Sequence, residues 1–172
     1  LFVIPILRSA VKETNAVCRI SACNAYGSLG SSDWYTLARE ESVAVVIFNT
    51  VLSFCSDQDT SPKLRSISCK AVGDMCTNLL LNADVLEVIN AHDLLTSIIR
   101  TMTHAVNDSN ASVRCMALFA TGNLAQGLRD KLVDQVDQQA LAELGHECFS
   151  RLNDDDEKTA GNAIRSIGHV AC

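Results

Sequence analysis

Apolar and small side chains recur every three or four residues over long parts of this 172-residue chain. In one stretch they fall at Val113, Met116, Ala117, Ala120 and Leu124. This spacing places them along one stripe of an α-helix, whereas a half-buried strand would alternate apolar and polar residues. The pattern therefore predicts a helix with one buried face.

The same twelve-residue arrangement occurs four times, which indicates an internal repeat. The copies are residues 18–29, 64–75, 113–124 and 159–170. Each carries a glycine near its end, and successive glycines are separated by 46, 49 and 46 residues: Gly27, Gly73, Gly122 and Gly168. This period is close to the roughly 40–47 residues of repeats built from two or three helices. We therefore predict an all-α fold of about four stacked helix pairs, in which the glycines allow helix backbones to approach closely.

Polar turns that contain helix-capping residues precede three of the copies. They are Ser56–Pro62, Asn107–Asn110 and Asn153–Asp156. Side chains of Asp, Asn and Ser accept hydrogen bonds from the free amides of a helix start, and Pro62 suits a first helical position. The first copy has the weaker Lys12–Asn15. Each copy is therefore predicted to be the second helix of a pair.

The remaining apolar pattern predicts further helices at 41–54, 93–105 and 138–152, and a short helical turn at 33–39 capped by Asp33. Their predicted buried faces are Val43, Val46, Ile47, Thr50, Val51 and Phe54; then Leu94, Leu95, Ile98, Ile99 and Met102; then Leu141, Leu144, Cys148, Phe149 and Leu152.

Two segments are less regular. Residues 83–89 are either the first turns of a long helix or a separate short helix, and residues 126–136 are predicted to be a polar connection.

No low-complexity linker divides the chain, so we predict one domain with repeats at about 1–30, 31–80, 81–126 and 127–172. Both ends fall within the apolar pattern, which suggests a piece of a longer solenoid. Stacked repeats need neighbours that cover their apolar faces. We therefore expect self-association or fraying at Leu1–Leu7 and Val170–Cys172.

A polar Asp/Asn turn, an apolar residue followed by Arg, and then Ala-x-x-Ala-x-Gly-x-Leu resembles the HEAT repeat, the helical-pair unit of many eukaryotic scaffold and transport proteins. The resemblance covers nearly the whole chain and implies a right-handed α-α superhelix of the HEAT and armadillo type. It also implies that the recurrent arginines pair with turn aspartates of neighbouring repeats. The arginines are Arg19, Arg65 and Arg114, and the expected partners are Asp57 or Asp59, and Asp108.

The last copy departs from the HEAT pattern, because Thr159 and Ala160 stand where the others have an apolar residue and Arg. A continuous arginine ladder is therefore not expected at that end. The sequences of residues 19–27 and 161–168 also resemble those of one group within the family, the HEAT repeat-containing protein 6 group.

Composition narrows the class of protein. The hydrophobic fraction of 48% with 20% charged residues excludes intrinsic disorder as the main description. The formal net charge of −6 gives no general attraction to nucleic-acid phosphates or anionic lipid, and the apolar runs are shorter than a membrane-spanning helix needs. Eight cysteines without a Cys-x-x-Cys motif read as reduced, buried thiols, which is typical of an intracellular protein, cytoplasmic or nuclear.

Sequence motifs for catalysis are absent: there is no phosphate-binding glycine loop, no Gly-x-Ser-x-Gly and no His-Glu-x-x-His. His146 with Cys148, and His169 with Cys172, are incomplete metal-ligand pairs. The acidic run 154–157 is interpreted as a capped and solvated helix start and not as a cation site. We predict no enzyme activity, no metal and no cofactor.

Surface positions on the second helices remain. Pairs four residues apart and off the buried stripe form what we call the second-helix row: Asn24, Ser28, Lys70, Asp74, Phe119, Asn123, Arg165 and His169. In HEAT and armadillo-type arrays the second helices line the concave surface, so the resemblance implies a protein or peptide partner on this row. Phe119 either anchors that partner or packs against the adjacent repeat. The alternative function is a structural spacer in a larger assembly, with no binding groove of its own.

Overall fold

The structure is a computed structural model that describes residues 4–39, 43–80, 91–128 and 136–170. Within these ranges every regular element is helical. The helices are α1 Ile4–Ala10, α2 Ala16–Gly27, α3 Ser31–Arg39, α4 Val43–Ser56, α5 Pro62–Leu80, α6 Ala91–Ala105, α7 Ala111–Leu128, α8 Gln138–Ser150 and α9 Glu157–Val170, with a 3-10 turn at Arg151–Asn153.

The helices pack in two layers. The four predicted second helices, α2, α5, α7 and α9, lie side by side in chain order, and the contact between α5 and α7 is the most extensive of the described helix pairs. In the other layer α6 contacts both α4 and α8, and each of α1, α4, α6 and α8 also contacts the second helix that follows it. The predicted all-α solenoid of helix pairs is confirmed. The proposed repeat boundaries include residues outside the described ranges and stay a prediction.

Helix α3 gives the second repeat a third helix. It contacts both α4 and α5, and it buries Trp34, Leu37 and Ala38. The Trp34 ring lies 5.3 Å, centroid to centroid, from the ring of Phe48 on α4. The short helical turn predicted at 33–39 is therefore a nine-residue helix with its own buried face.

The predicted capping role of Asp33 is wrong. Asp33 lies inside the first turn of α3, and its Oδ2 atom accepts a hydrogen bond of 3.1 Å from the Gly30 amide that precedes the helix. The side chain at the third helical position of a capping box makes the same backward contact. Asp33 therefore stabilises the helix start from within the first turn.

Two predicted buried faces need correction. On α4, Val46 is 46% exposed, whereas Ala44, Phe48, Leu52 and Cys55 are buried. Helices α3, α5 and α6 surround α4, so its buried face is broad and is rotated away from Val46.

On α8, Phe149 is 64% exposed, and Leu141 and Leu152 are only partly buried. Among the described helices, α6 and α9 contact α8 extensively, which leaves the side that carries Phe149 uncovered. The face predicted for α6 is correct, because all five of its residues are buried.

The predicted polar connection does not begin at Gln126, because helix α7 continues to Leu128. The segment 83–89 and the remainder of the predicted connection, 129–135, lie outside the described residues. Residues 1–3 and 171–172, parts of the two ends where self-association or fraying is expected, also lie outside the described residues.

The repeated glycines sit where successive second helices come closest. A Cβ atom added to Gly73 would lie 2.8 Å from the Cα atom of Ala120 on α7 and 3.2 Å from its Cβ. Distances below 3.0 Å between such atoms require the backbone to shift. Close approach of α5 and α7 therefore depends on the missing side chain, as the repeat pattern predicted.

Substituting Gly73 with alanine should destabilise the protein. The gain in helix propensity is about 1 kcal/mol, whereas overpacking against a neighbouring backbone costs about 1–3 kcal/mol. The free energy of unfolding, measured by urea denaturation, should therefore fall by up to about 2 kcal/mol as the difference between these effects.

The matched control is Gly145→Ala on α8, where an added Cβ would meet nothing within 4 Å. This variant should be neutral or stabilised by up to about 1 kcal/mol. Equal effects at the two glycines would contradict the close-approach interpretation.

Candidate functional site: the second-helix row

Each second helix begins at a side-chain cap, which fixes where its exposed face starts. The caps accept hydrogen bonds from backbone amides in the first turn: Asn15 from Val17, Ser61 from Leu64, Asn110 from Ser112, and Asp156 from Thr159. Pro62 is the first residue of α5, as predicted. The four helices therefore begin at equivalent positions of the repeat, and the contacts of Gly27 with Ala71, Gly73 with Ala120 and Gly122 with Ser166 show that equivalent positions lie side by side.

The outer part of the second-helix row is exposed. Asn24 is exposed on α2, and the Ser28 hydroxyl donates to the Asn24 carbonyl at 2.9 Å. On α5 the Lys70 Nζ atom lies 2.6 Å from Asp74 Oδ2, in an ion pair whose two side chains both remain partly open to solvent. These four side chains are available to a partner.

The central part of the row is a contact between helices. The Asn123 amide of α7 donates to the Gly73 carbonyl of α5 at 3.2 Å, and Arg165 of α9 donates to Asn123 Oδ1 at 2.6 Å. The Arg165 guanidinium also lies over the Phe119 ring, 5.3 Å from its centroid. Phe119 is half-buried, because its ring contacts α5 near Gly73 and is covered by Arg165.

His169 completes the row as a half-buried residue at the end of α9. The structure therefore brings the eight predicted residues onto four adjacent helices. Of the two alternatives for Phe119, packing against the adjacent repeats is what the structure shows. A binding role for the row stays a prediction.

Two ion pairs, one buried and one partly buried, each join an arginine of one second helix to the turn before the next second helix. Arg65 binds Asp108 through two hydrogen bonds of 2.8 and 3.1 Å, and its third nitrogen donates to the Thr60 carbonyl. Arg114 binds Asp154 in the same manner, at 2.8 and 2.7 Å. The predicted pairing of Asp108 is confirmed. Asp154 was assigned only to a helix start, but it is also the partner of Arg114.

The first rung of this ladder is different. Arg19 lies over the Phe54 ring, 5.4 Å from its centroid, and donates to the Glu13 carbonyl. The Asp57 carboxylate instead accepts the Asp59 amide within its own turn. The turns before α5 and α7 have the same length, but Asp57 stands four residues before the cap Ser61, whereas Asp108 stands two residues before the cap Asn110. The expectation that Asp57 or Asp59 pairs with a recurrent arginine is wrong for the contacts that the structure describes.

These contacts lower the pKa values of the two paired aspartates, Asp108 and Asp154. Burial raises the pKa of Asp108, but hydrogen bonds from Arg65 and from the Asn110 amide outweigh burial and hold the pKa below its ordinary value. Hydrogen bonds from Arg114 lower the pKa of Asp154 despite its burial. Both carboxylates are therefore stabilised in their ionised form.

The seven cysteines other than Cys172 are free thiols. Burial raises the pKa of Cys76 and of Cys148 to about 12, which suppresses the reactive thiolate. Within the described ranges no group of three His, Cys, Asp or Glu side chains is placed to hold a metal ion. His146 is exposed while Cys148 is buried, and Cys172 is not described.

No helix in the described part of the chain is long and apolar enough to cross a membrane.

The sequence analysis missed a groove of about 340 Å³ between the starts of α5, α7 and α9. Its lining includes Ser112, Cys115, Met116, Ile67 and Lys158, which lie in the first two turns of three helices. Met116 was assigned to the buried stripe of its helix, but it is only partly buried. The pattern of a single helix does not give the space left where three helices meet, so it gave no signal for the groove.

Comparison with known proteins finds similar solved structures but no matching family. No protein-family model and no curated protein matches the chain. The designed armadillo repeat protein YIII(Dq.V1)4CPAF, in complex with the peptide (KR)4, is similar with a TM-score of 0.38 and 12% identity over 95% of this chain and 80% of that one. An engineered protein, Northeast Structural Genomics Consortium target OR329, has a TM-score of 0.38 and 11% identity, covering 98% of this chain and 96% of that one. The chain's own helix contacts show the solenoid.

Asp108→Asn should destabilise the protein strongly. The substitution leaves the buried Arg65 guanidinium without a counter-charge, and breaking a buried ion pair in this way costs about 3–5 kcal/mol. Chemical denaturation measures the loss. The exposed Asp155, in the turn before α9, provides the control, because Asp155→Asn should change stability by less than about 0.5 kcal/mol. A small effect at Asp108 would show that the ion pair is dispensable.

Stability should also fall in acid. The pKa values of Asp108 and Asp154 are lower in the folded chain, so their contribution is present above the unfolded-state value of about 3.9 and is lost as pH falls below it. The free energy of unfolding, measured as a function of pH, should decrease in that window. Asp108→Asn should weaken this dependence, and an unchanged slope would contradict the assignment.

Proposed function

We propose that the chain is a protein-interaction scaffold that binds a protein or peptide across the second-helix row. The observation that carries this proposal is that α2, α5, α7 and α9 lie side by side in one register, so that the row crosses all four helices. A linear partner laid across them would meet similar positions at regular intervals. Packed helix axes are about 8–10 Å apart, which corresponds to roughly three residues of extended chain.

The two parts of the row have different roles in this proposal. Asn123, Arg165 and Phe119 hold α5, α7 and α9 together and provide a rigid base. The exposed Asn24, Ser28 and Lys70, with the partly exposed Asp74, present amide, hydroxyl and charged groups to the partner. Because the base is already ordered, binding would lose little conformational entropy in the scaffold.

A structural spacer is the second candidate. The observation in its favour is that Asn123 and Arg165 direct hydrogen bonds to neighbouring helices. In that case the row is a device for stacking repeats, and substitutions of its exposed residues alter no interaction.

The narrower family assignment also belongs to this proposal. HEAT-type architecture is supported by the stacked pairs and by the Arg65–Asp108 and Arg114–Asp154 rungs. Membership in the HEAT repeat-containing protein 6 group, an intracellular location and the lack of enzyme activity rest on the sequence alone.

Lys70→Glu should remove binding without loss of stability. Lys70 is exposed in the outer part of the row, on α5, and its reversal places like charges beside Asp74 at a cost of only about 0.2–0.5 kcal/mol. The measurement is affinity capture from a eukaryotic cell extract, followed by direct titration of each captured protein. A specific partner should bind the original chain and lose at least about tenfold in affinity for the variant, as expected for truncating a central interface contact.

The matched control is Lys63→Glu, which makes the same charge change on the same helix but outside the row. It should retain the partner. Equal capture by all three proteins would support the spacer, and equal loss from both variants would indicate general electrostatic attraction instead of a site on the row.

A further inference from the structure

The groove between the starts of α5, α7 and α9 continues into a neighbouring recess. Each of the two cavities has a volume of about 340 Å³, and both are lined by Ser66, Ile67 and Ser112. Lys63 of α5 lines the recess, and Lys158 of α9 lines the groove. Lys63, Ser112 and Lys158 are each the second residue of their helix. The two cavities, which together we call the helix-start groove, therefore run across the first turns of three adjacent helices.

The lining of the helix-start groove is apolar where the two cavities meet. Ile67 lines both of them, and Met116 and the buried Cys115 line the one next to it. Ile67 and Met116 pack against the core but are only partly buried, so part of their apolar surface is open. The Ser66 hydroxyl donates to the Ser112 carbonyl at 3.0 Å, which joins α5 to α7 at this point. An apolar ligand group would therefore meet an ordered surface, and covering it is favourable.

Positive charge flanks this apolar part. Lys63 and Lys158 are exposed, and neither forms an ion pair with the residues that the structure describes. The starts of three helices add partial positive charge on the same side. The Asp156 carboxylate also lines the groove, but it accepts hydrogen bonds of 2.8 Å from both the amide and the hydroxyl of Thr159. On a chain of net charge −6, this lining is positive overall and favours an anionic ligand.

The separation of the two lysines sets the length of the ligand. Packed helix axes are about 8–10 Å apart, so α5 and α9 are separated by two such spacings, or about 16–20 Å. Side chains of an extended peptide alternate between two faces, so its residues 1, 3 and 5 point the same way and span about 13–14 Å. The flexible side chains of Lys63 and Lys158 cover the remainder. The exposed Asp155 and Glu157 end the positive strip at the start of α9.

We propose that the helix-start groove binds an extended peptide that has acidic residues at positions 1 and 5 and an aliphatic residue at position 3. The aliphatic side chain covers Ile67 and Met116, and the two carboxylates pair with Lys63 and Lys158. This site lies one to two helical turns closer to the helix starts than the second-helix row. It is independent of the function proposed for that row.

The probe is a synthetic peptide with blocked ends, Ser-Glu-Ser-Leu-Ser-Glu-Ser. Titrated into the full ¹⁵N-labelled chain at about 0.15 M salt, it should cause saturable NMR shifts of the backbone amides of Lys63, Ile67, Met116 and Lys158. Replacing both peptide glutamates with glutamine should weaken binding at least about fivefold, because exposed ion pairs each contribute up to about that factor. Replacing the leucine with serine should weaken binding at least about tenfold, because the apolar contact is lost.

Variants of the chain test the same contacts from the other side. Lys63→Glu and Lys158→Glu should each weaken binding of the peptide about fivefold, and thermal unfolding should be unchanged because both side chains are exposed. The matched control is Lys12→Glu, which makes the same charge change at an exposed lysine in the turn before α2. It should bind the peptide within about twofold of the original chain, since salt screens distant charges.

The proposal is overturned if no saturable shift occurs at about 1 mM peptide, or if the glutamate and glutamine peptides bind equally. It is also overturned if Lys12→Glu and Lys63→Glu lose equal affinity. Tighter binding of a short single-stranded oligonucleotide at the same amides would identify the ligand as nucleic acid instead. Failure here is distinct from failure of the proposed function, because Lys63→Glu should lose the peptide and keep the partner of the row.

Discussion

The close approach of successive second helices is the constraint on which the rest of the structure depends. A side chain on Gly73 would collide with the Ala120 backbone. At Gly27 an added Cβ would lie 3.4 Å from the Ala71 Cα atom, and at Gly122 it would meet side-chain atoms of Arg165 and Ser166. Helix spacing fixed in this way determines which carbonyls the side chains of the next helix can reach. The Asn123 and Ser166 hydrogen bonds exist only at this separation. The row crosses the helices in one line because the glycines hold them in register.

The turns add a second, electrostatic link at the helix starts. Each full rung joins an arginine of one second helix to the turn of the next, and the same arginine binds a carbonyl of its own turn. Both aspartates also accept an amide two residues later, which closes the turn and leaves the carboxylate fully bonded. A buried ion pair satisfied in this way specifies how adjacent repeats align more than it adds to net stability.

Periodicity predicted the helices well because each copy buries one stripe against its neighbours. It failed at Val46 and Phe149, whose exposure depends on which neighbouring helices exist on each side of α4 and α8. It also missed the length of α3, since the buried contact of Trp34 with Phe48 joins separate elements. Among the site residues, spacing predicted that the row would align, but not that Asn123 and Arg165 would use their hydrogen bonds on other helices. Asp57 closes its turn from a position two residues earlier than Asp108 does, although the two turns have the same length, and a repeat pattern does not show which aspartate of a polar turn makes that contact.

The missing rung at Arg19 has a mechanical consequence. Between α5 and α7, and between α7 and α9, both the glycine contact and a bidentate ion pair resist rotation of one helix about the other. Arg19 of α2 instead lies over the ring of Phe54, on α4, and the contact between α2 and α5 is the least extensive of the three. A ring face accepts a cation over a range of positions, whereas a bidentate pair fixes direction. The solenoid is therefore stiff over its last three second helices and compliant at its first, so changes in curvature concentrate between α2 and α5.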